Sequence, residues 1–297
     1  MNNQPPLVTI EIVTWNRKDE LFRCLESALA QTHPHCEIVV VDNASTDGTP
    51  DMVLLEFPQV RLVHAGRNLG CPSGRNLGFA HCRGKYIYML DDDGWLERDA
   101  VELAVRRAEA DPSIGVVMSR LTEFEDGRIV RHRPEKLDQS VFLSVFSGGC
   151  SLLRREVLEK VGAFPDDFFR QAEESDLALR MIDAGYFCCL EPASVMYHAP
   201  SPNGRNSKAA IFYSLRNTNR TGLRLWPFPW CALRPLVNLY HAFRFMFTLR
   251  YLTLPLQILG TLVNDLCHLH GQRKPVTRRA YAMFRQLQRQ PSRVRPT

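Results

Sequence analysis

Short apolar runs alternate with helical patterns from the start of this 297-residue chain. Runs of apolar and β-branched residues are typical of buried strands. Turn and helix-start signals follow these runs. The predicted strands are 7–14, 37–41, 60–64, 86–90 and 114–119. A helical pattern separates each strand from the next. This alternation predicts an α/β fold with a doubly wound, mostly parallel central sheet.

Polar side chains follow several of these strands directly. Asn16 follows the first strand and Asp42 follows the second, while Asp91, Asp92 and Asp93 follow the fourth. Ligands of such sheets bind beside the carboxyl ends of the strands. We therefore expect these polar groups to converge on one crevice.

The acidic triplet has two interpretations. Three adjacent carboxylates repel one another unless a cation or hydrogen-bond donors meet them. Oxygen ligands of this kind suit Mg²⁺ or Mn²⁺, which would relieve the repulsion. The alternative is a strand that runs into an acidic surface turn. The triplet alone does not choose between them.

The pattern changes after residue 120. Residues 120–133 are polar around Asp126 and Gly127, which predicts a surface hairpin. A helix is predicted over 172–184, followed by a pair of strands at 186–190 and 194–198. Earlier in the chain, glycines recur every fourth residue at Gly70, Gly74 and Gly78. On a helix they share one face, which favours close packing on the sheet or close approach of a ligand.

The last third of the chain is basic and helical. Helical patterns cover 207–225, 231–251, 256–270 and about 276–290. Residues 199–297 contain 16 Lys and Arg and one acid, whereas residues 1–198 contain 21 bases and 31 acids. A basic extension on an acidic body favours an anionic membrane surface as partner. Helices packed on the body with arginines in solvent are the alternative, and no nucleic-acid-binding motif accompanies the charge.

The chain shows no pattern of a membrane span or a secreted protein. Its longest uncharged stretch in the basic region has 14 residues, at 251–264, and a spanning helix needs about 20. None of the nine cysteines forms a C-x-x-C pair, and the N-terminus has no signal-peptide pattern. We therefore expect reduced thiols and a cytoplasmic protein, peripheral at the inner face of the cell membrane.

Several motifs follow one another along the chain: Thr14-Trp15-Asn16-Arg17, Asp42-Asn43-Ala44-Ser45-Thr46-Asp47-Gly48, Arg67-Asn68-Leu69-Gly70, Gly74-Arg75-Asn76, Asp91-Asp92-Asp93, Gly148-Gly149, Gly162-Ala163-Phe164 and Glu173-Glu174-Ser175-Asp176. Taken in this order, they resemble the motifs of the family 2 glycosyltransferases, which are inverting enzymes with a GT-A fold. The resemblance covers about residues 7–220. Tyr197-His198 and Arg216-Asn217 look like the bacterial branch that includes rhamnosyltransferases.

The resemblance implies a GT-A nucleotide-diphospho-sugar transferase fold with a donor site at the strand ends. The implied nucleotide-sugar-binding residues are Thr14, Asn16, Arg17, Asp42, Asn43, Arg67, Asn68, Arg75, Asp91 and Asp92. The implied ligands of Mg²⁺ or Mn²⁺ are Asp93, Asp91 and His198. Asp42 would accept a hydrogen bond from a pyrimidine imide, although a cap on the following turn would also explain it.

The catalytic base is implied by position within the later acidic motif. The family usually has Asp where this chain has Glu174, so Glu174 is the first candidate. Glu173 and Asp176 are further candidates, since they lie three residues apart on one helix face. An ion pair with Arg180, four residues further on, is an alternative role for Asp176.

The implied activity is metal-dependent inverting transfer of a sugar from a nucleotide-diphosphate sugar. The acceptor would be a hydroxyl of a glycan or polyprenyl-linked lipid, in cell-surface polysaccharide or glycolipid synthesis. One alternative is a nucleotidyltransferase that makes a nucleotide sugar, but the glycine-rich loop it needs after the first strand is absent. Another is a non-catalytic, membrane-recruited binding protein. We expect a catalytic domain at 1–206 and a basic amphipathic helical extension at 207–297.

Overall fold

The computed structural model describes residues 4–125, 128–133, 138–199 and 207–296. In these ranges, ten strands form one sheet with helices packed around it. The strands are β1 (Val8–Thr14), β2 (Cys36–Asp42), β3 (Arg61–His64), β4 (Tyr86–Asp91), β5 (Gly94–Leu96), β6 (Ile114–Glu125), β7 (Arg128–Arg133), β8 (Val141–Leu143), β9 (Cys150–Arg154) and β10 (Phe187–His198). The α-helices are α1 (Lys18–Leu29), α2 (Thr49–Glu56), α3 (Cys71–Phe79), α4 (Ala100–Ala110), α5 (Arg155–Val161), α6 (Glu173–Asp183), α7 (Ser207–Leu225), α8 (Trp230–Thr248), α9 (Leu254–His268) and α10 (Arg278–Arg289).

The main path of the sheet has the strand order β3-β2-β1-β4-β9-β6-β10-β5. Strands β3, β2, β1 and β4 are parallel to one another. Strand β9 is antiparallel to both β4 and β6, so β6 and its parallel neighbour β10 run in the same direction as β4. The predicted α/β class with a mostly parallel central sheet is confirmed.

The register of the parallel strands brings the predicted polar clusters together. Thr14 pairs with Asp42 across β1 and β2, and Val13 pairs with Asp91 across β1 and β4. The ends of three neighbouring strands therefore lie at one level. This places the acidic triplet beside the loops that carry Asn16 and Asp42.

Two of the predicted glycines allow α3 to pack closely on β1. A Cβ atom on Gly74 would lie 2.8 Å from Val13 Cγ1, and one on Gly78 would lie 2.4 Å from Glu11 Oε1. Real side chains do not approach so closely, so only glycine fits these two positions. The interpretation as close helix-on-sheet packing is confirmed for both.

The second half of the sheet differs in part from expectation. Strands β6 and β7 form the predicted antiparallel pair, whereas Asp126 and Gly127 lie outside the described residues. The prediction of two strands between 186 and 198 is wrong, because β10 continues through this region. Its pairing with β6 shifts register between Glu191 and Val195. Pro192, which cannot donate to a ladder, is accommodated in that irregularity.

The C-terminal helices pack in two places. Helices α7, α8 and α9 contact one another around a small apolar cluster of Leu215, Ala242, Leu254 and Ile258. Helix α10 instead packs on α6 and adds Phe284 to the main core. No helix in the described ranges combines the length and apolar character needed to cross a membrane.

Candidate active site

The acidic triplet forms the connection from β4 to β5. Asp91 ends β4, and Asp92 and Asp93 follow it with only 5% and 2% of their surfaces exposed. The Arg17 guanidinium donates to Asp92 Oδ1 at 2.6 Å and lies 3.1 Å from Asp93 Oδ2. Burial raises the pKa of Asp92 to about 6, although the charge of Arg17 opposes the rise. This buried ion-pair network contradicts the interpretation as a simple surface turn.

Asp91, Asp93 and His198 form a group with the chemistry of a metal site. Their ligand atoms all lie within 4.8 Å of one another, and His198 Nε2 is 3.1 Å from Asp93 Oδ1. His198 ends β10, which pairs with β5 immediately after the triplet. Carboxylate oxygens and an imidazole nitrogen suit a divalent cation such as Mn²⁺. The donor set therefore fits the implied metal.

Arg75 holds Asp91 from the interior of the protein. Its guanidinium is 2% exposed and donates to Glu11 Oε2 at 2.6 Å and to Asp91 Oδ1 at 2.9 Å. Burial and repulsion from Asp91 raise the pKa of Glu11 to about 7, against the effect of Arg75. Arg75 thus lies beneath the acidic cluster, where it fixes the orientation of a carboxylate.

Sequence reasoning missed Glu11. The available signal was a lone acid in the middle of the apolar run Val8-Thr9-Ile10-Glu11-Ile12-Val13. An unpaired buried carboxylate is costly, so such a residue needs a cationic partner. Only the packing of α3 on β1 shows that the partner is Arg75.

Glu174 reaches the cluster through the Gly148-Gly149 turn. Its Oε1 accepts a hydrogen bond from the Gly148 backbone N–H at 3.3 Å. A Cβ on Gly149 would lie 2.0 Å from Asp91 Oδ2, so this turn touches both carboxylates. Burial raises the pKa of Glu174, and the charge of Asp91 adds to the rise.

The other two candidate bases have different surroundings. Glu173 is 6% exposed, and its Oε2 has no hydrogen-bond partner within the described ranges. Burial, followed by the charge of Glu174, raises the pKa of Glu173. Asp176 accepts from Arg180 Nε at 2.9 Å and from the Thr221 hydroxyl at 3.2 Å. Both oxygens of Asp176 are therefore engaged in structural contacts.

The loops after β1 and β2 are joined by hydrogen bonds. Asn16 has a left-handed backbone with φ of 52°, and its Oδ1 accepts from the Thr46 N–H at 2.7 Å. The Ser45 hydroxyl oxygen accepts from the Asn16 N–H at 2.9 Å. Asp42 is 2% exposed and accepts from the Ser45 N–H at 3.1 Å. The turn-capping role foreseen for Asp42 is thus present.

The remaining predicted donor-site residues divide by exposure. Asn43 is buried and donates to the Gly70 carbonyl at 3.1 Å, which ties the β2 loop to the start of α3. Thr14 is buried at the end of β1, whereas Arg67 is exposed. Asn68 Oδ1 accepts from the Gly70 N–H at 2.9 Å. Of this group, Arg67 alone has an exposed side chain in the described structure.

The fold is that of known GT-A glycosyltransferases. A mannosyltransferase from Pyrobaculum calidifontis, solved with GDP-Man and Mn²⁺, aligns over 95% of this chain and 79% of its own, with a TM-score of 0.59 and 22% identity. GalNAc-T7, solved with UDP, GalNAc and Mn²⁺, aligns over 82% of this chain and 51% of its own, with a TM-score of 0.64 and 16% identity. These likenesses identify the fold class.

The sequence comparisons identify the family. The family described as "Glycosyl transferase family 2" matches residues 9–162, so the chain belongs to that family. The succinoglycan biosynthesis protein ExoO of Rhizobium meliloti is 31% identical over 211 residues, which are 65% of this chain and 61% of ExoO. The putative teichuronic acid biosynthesis glycosyltransferase TuaG of Bacillus subtilis is 33% identical over 34% of this chain and 42% of TuaG. The chain thus spans less than two thirds of these relatives.

Proposed function

We propose that this protein is a metal-dependent inverting glycosyltransferase. It moves a sugar from a nucleotide-diphosphate sugar to a hydroxyl of a glycan or lipid-linked acceptor in cell-surface polysaccharide or glycolipid synthesis. The observation that carries the proposal is the cluster of Asp91, Asp93 and His198, in which Asp91 contacts the same Gly148-Gly149 turn as Glu174. The named roles of ExoO and TuaG in polysaccharide synthesis support the biological setting.

Three groups of residues would form the donor site: two arginines that orient the carboxylates, the metal-binding residues, and the loops that border the nucleotide. Arg75 would hold Asp91 from below, and Arg17 would hold Asp92 and Asp93 from the side. Asp91, Asp93 and His198 would hold Mg²⁺ or Mn²⁺, which would supply positive charge opposite the nucleoside diphosphate. Asn16, Asp42 and the neighbouring loop would border the nucleotide, with exposed Arg67 near the phosphates.

Glu174 is the proposed general base. The acceptor hydroxyl would attack the anomeric carbon as Glu174 takes its proton, while the bond from that carbon to the diphosphate oxygen breaks. A raised carboxylate pKa favours proton acceptance near neutral pH. Asp176 is less suited to this role because Arg180 and Thr221 occupy its oxygens. Glu173 stays the second candidate, because its side chain is buried whereas that of Glu174 is partly exposed and so more accessible to an acceptor.

The donor test is a thermal-shift screen with UDP-, GDP- and dTDP-sugars, with and without Mn²⁺. We expect one nucleotide class to raise Tm only when Mn²⁺ is present, and to yield nucleoside diphosphate on incubation. Asp93→Ala should abolish that release with an unchanged circular dichroism spectrum, whereas Asp51→Ala, an exposed carboxylate on α2, should not. Full release by Asp93→Ala would overturn the metal role. Consumption of a nucleoside triphosphate with a sugar phosphate would instead indicate a nucleotidyltransferase.

We further propose that residues 207–297 form an extension that holds the catalytic domain, residues 1–206, against an anionic membrane. Helices α8 and α9 pack on α7 through one apolar side. Their outward side, together with Leu252 in the turn between them, is apolar as well. We call these exposed side chains the outer apolar face: Leu233, Leu236, Val237, Tyr240, Phe243, Phe247, Leu252, Leu256, Leu259, Val263 and Leu266. Surface helices normally present polar residues there, and large exposed apolar patches indicate contact surfaces.

Charge favours a lipid bilayer as the occupant of the outer apolar face. Asp265, the one acid in residues 199–297, is 2% exposed and paired with Arg220. Exposed bases such as Arg244 and Arg250 lie on α8 and directly after it. Exposed apolar side chains and bases, with the one acid of this region buried, match the interface of anionic lipid headgroups and acyl chains.

The membrane proposal is tested by co-sedimentation with phosphatidylcholine vesicles, with and without phosphatidylglycerol. We expect the wild-type protein to bind the anionic vesicles and Leu236→Glu/Phe247→Glu to lose binding. Leu55→Glu, at an exposed position of α2 (78% exposed), should bind like wild type. Unchanged binding by the double variant would contradict the proposal. Light scattering could also contradict it: a wild-type dimer that becomes a monomer in the double variant would show that the outer apolar face is a dimer interface.

A further inference from the structure

Two strained residues precede the helix that carries the candidate bases. Gln171 and Ala172 both have φ of 71°, in the left-handed region that non-glycine residues rarely adopt. Ala172 is the N-cap of α6 and makes no side-chain capping bond. Such strain persists only where the surroundings impose it, and it often lies at functional sites. A group outside α6 must therefore hold this turn.

Asn217 of α7 provides that restraint. Its side chain is fully buried, and Nδ2 donates to the Arg170 and Gln171 carbonyls, each at 2.8 Å. Arg216 Nε donates to Asn217 Oδ1 at 3.0 Å, which fixes the orientation of the amide. Both amide hydrogens of Asn217 are thus committed to the two peptides that lead into the strained turn.

The next turns of α7 hold the flanking segments. Arg220 donates to the Asp167 carbonyl at 3.0 Å, and Arg224 donates to Asp167 Oδ1 at 2.8 Å. Beyond the strained turn, the Thr221 hydroxyl donates to Asp176 Oδ2 at 3.2 Å. Helix α7 is therefore hydrogen-bonded to the chain on both sides of residues 171 and 172, at Asp167 and at Asp176.

We propose that Asn217 is a positioning residue for Glu174. This inference rests on the proposed function, in which Glu174 is the base. The peptide of Ala172 sets the direction in which α6 begins, and Glu174 is its second residue. If Asn217 is lost, residues 171 and 172 relax toward ordinary φ values and the Glu174 carboxylate moves away from Gly148. A displacement of about 1 Å in a reacting group costs on the order of 100-fold in rate.

The test compares Asn217→Ala with Asn238→Ala. Asn238 is an equally buried asparagine that also holds α7, since it donates to the Leu215 carbonyl and to Asn219 Oδ1, but its amide is bonded to neither peptide of the strained turn. We expect Asn217→Ala to lower kcat about 100-fold while the donor KM changes by less than about twofold, since base placement affects chemistry more than donor binding. The assay is nucleoside diphosphate release from the nucleotide sugar that the wild type uses.

A second substitution separates positioning from general destabilisation. Glycine adopts left-handed φ without a steric penalty, so Ala172→Gly should restore part of kcat in Asn217→Ala and none in Asn238→Ala. Hydrogen exchange of residues 171–176 should accelerate in Asn217→Ala alone, a readout that needs no substrate. Equal kcat losses in the two single variants, or unchanged exchange, would overturn the inference. A wild-type protein without transferase activity would instead overturn the proposed function.

Discussion

Arg75 donates a hydrogen bond to Asp91 Oδ1 at 2.9 Å from a guanidinium that is almost wholly buried. Asp91 is 43% exposed at its side chain, so this ion pair joins the interior of the protein to the surface of the candidate site. The buried end of the link is Glu11 in the middle of β1. The orientation of a candidate metal ligand is therefore set by the packing of α3 against β1.

The first prediction concerns this buried link. Arg75→Met leaves Glu11 without its partner, so we expect a loss of about 3–5 kcal/mol in the free energy of unfolding. Glu11→Met/Arg75→Met should regain much of that loss, because no uncompensated buried charge is left. Urea unfolding measures both. Arg106→Met, which breaks the exposed pair with Glu102, should cost less than about 1 kcal/mol. A double variant as unstable as the single one would contradict this explanation.

Gly149→Ala should disturb the metal site directly. The new Cβ would meet Asp91 Oδ2 at 2.0 Å, so the carboxylate must move. We expect weaker Mn²⁺ binding in calorimetry, together with reduced nucleoside diphosphate release. Gly260→Ala in α9 is the control, because nothing lies within 4 Å of its Cβ position. That variant should be neutral or gain up to about 1 kcal/mol of stability. Equal Mn²⁺ affinity in the two variants would count against the placement of Asp91.

The identity of the base can be separated from its structural neighbours. Glu174→Gln should reduce kcat by about 100- to 10,000-fold, the usual contribution of general-base catalysis, with Tm little changed. Asp176→Asn should have the opposite pattern, with nearly normal kcat and a loss of about 1.5–3 kcal/mol in the free energy of unfolding. The loss is expected because the hydrogen bonds from Arg180 and Thr221 would no longer reach a charged acceptor. If Glu173→Gln and not Glu174→Gln abolishes turnover, the base is Glu173.

The raised carboxylate pKa values predict how stability depends on pH. Glu173 and Glu174 have folded-state pKa values above the ordinary value of 4.5, chiefly because they are removed from water. At these two carboxyls the folded state therefore holds more protons than the unfolded state above pH 4.5, so their contribution to stability should fall as pH rises from there through the folded-state pKa values. Urea unfolding with divalent cations removed should show this decline. Glu173→Gln should make the decline less steep, since Glu174 remains, and an unchanged slope in that variant would show that Glu173 does not contribute.

Hydrophobic periodicity in the sequence predicted most of the fold, because strand and helix patterns can be recognised over a few consecutive residues. The five strands predicted between residues 7 and 119 are short, largely apolar runs, and helical patterns separate them, so the α/β class followed from the sequence. The single strand β10 was not foreseen, because Pro192 ordinarily ends a strand. Only its shifted pairing with β6 allows the strand to continue.

The site was predictable where chemistry lies at strand ends and unpredictable where it depends on a partner. Asp91, Asp93 and His198 were named from motifs, and the structure brings them together. The partners of Arg75 were not predictable, since Glu11 is 64 residues away in the chain. The same holds for Asn217, which lies 46 residues from Gln171.

The sequence by itself determined which chemical groups this protein has and the strand ends at which they occur, because hydrophobic periodicity and turn signals act over a few residues. Only the tertiary structure decided which groups meet. Contacts such as Arg75 with Glu11, or Asn217 with the turn before α6, depend on how distant elements pack. Burial then determines their charge state and strength, and no local pattern encodes it.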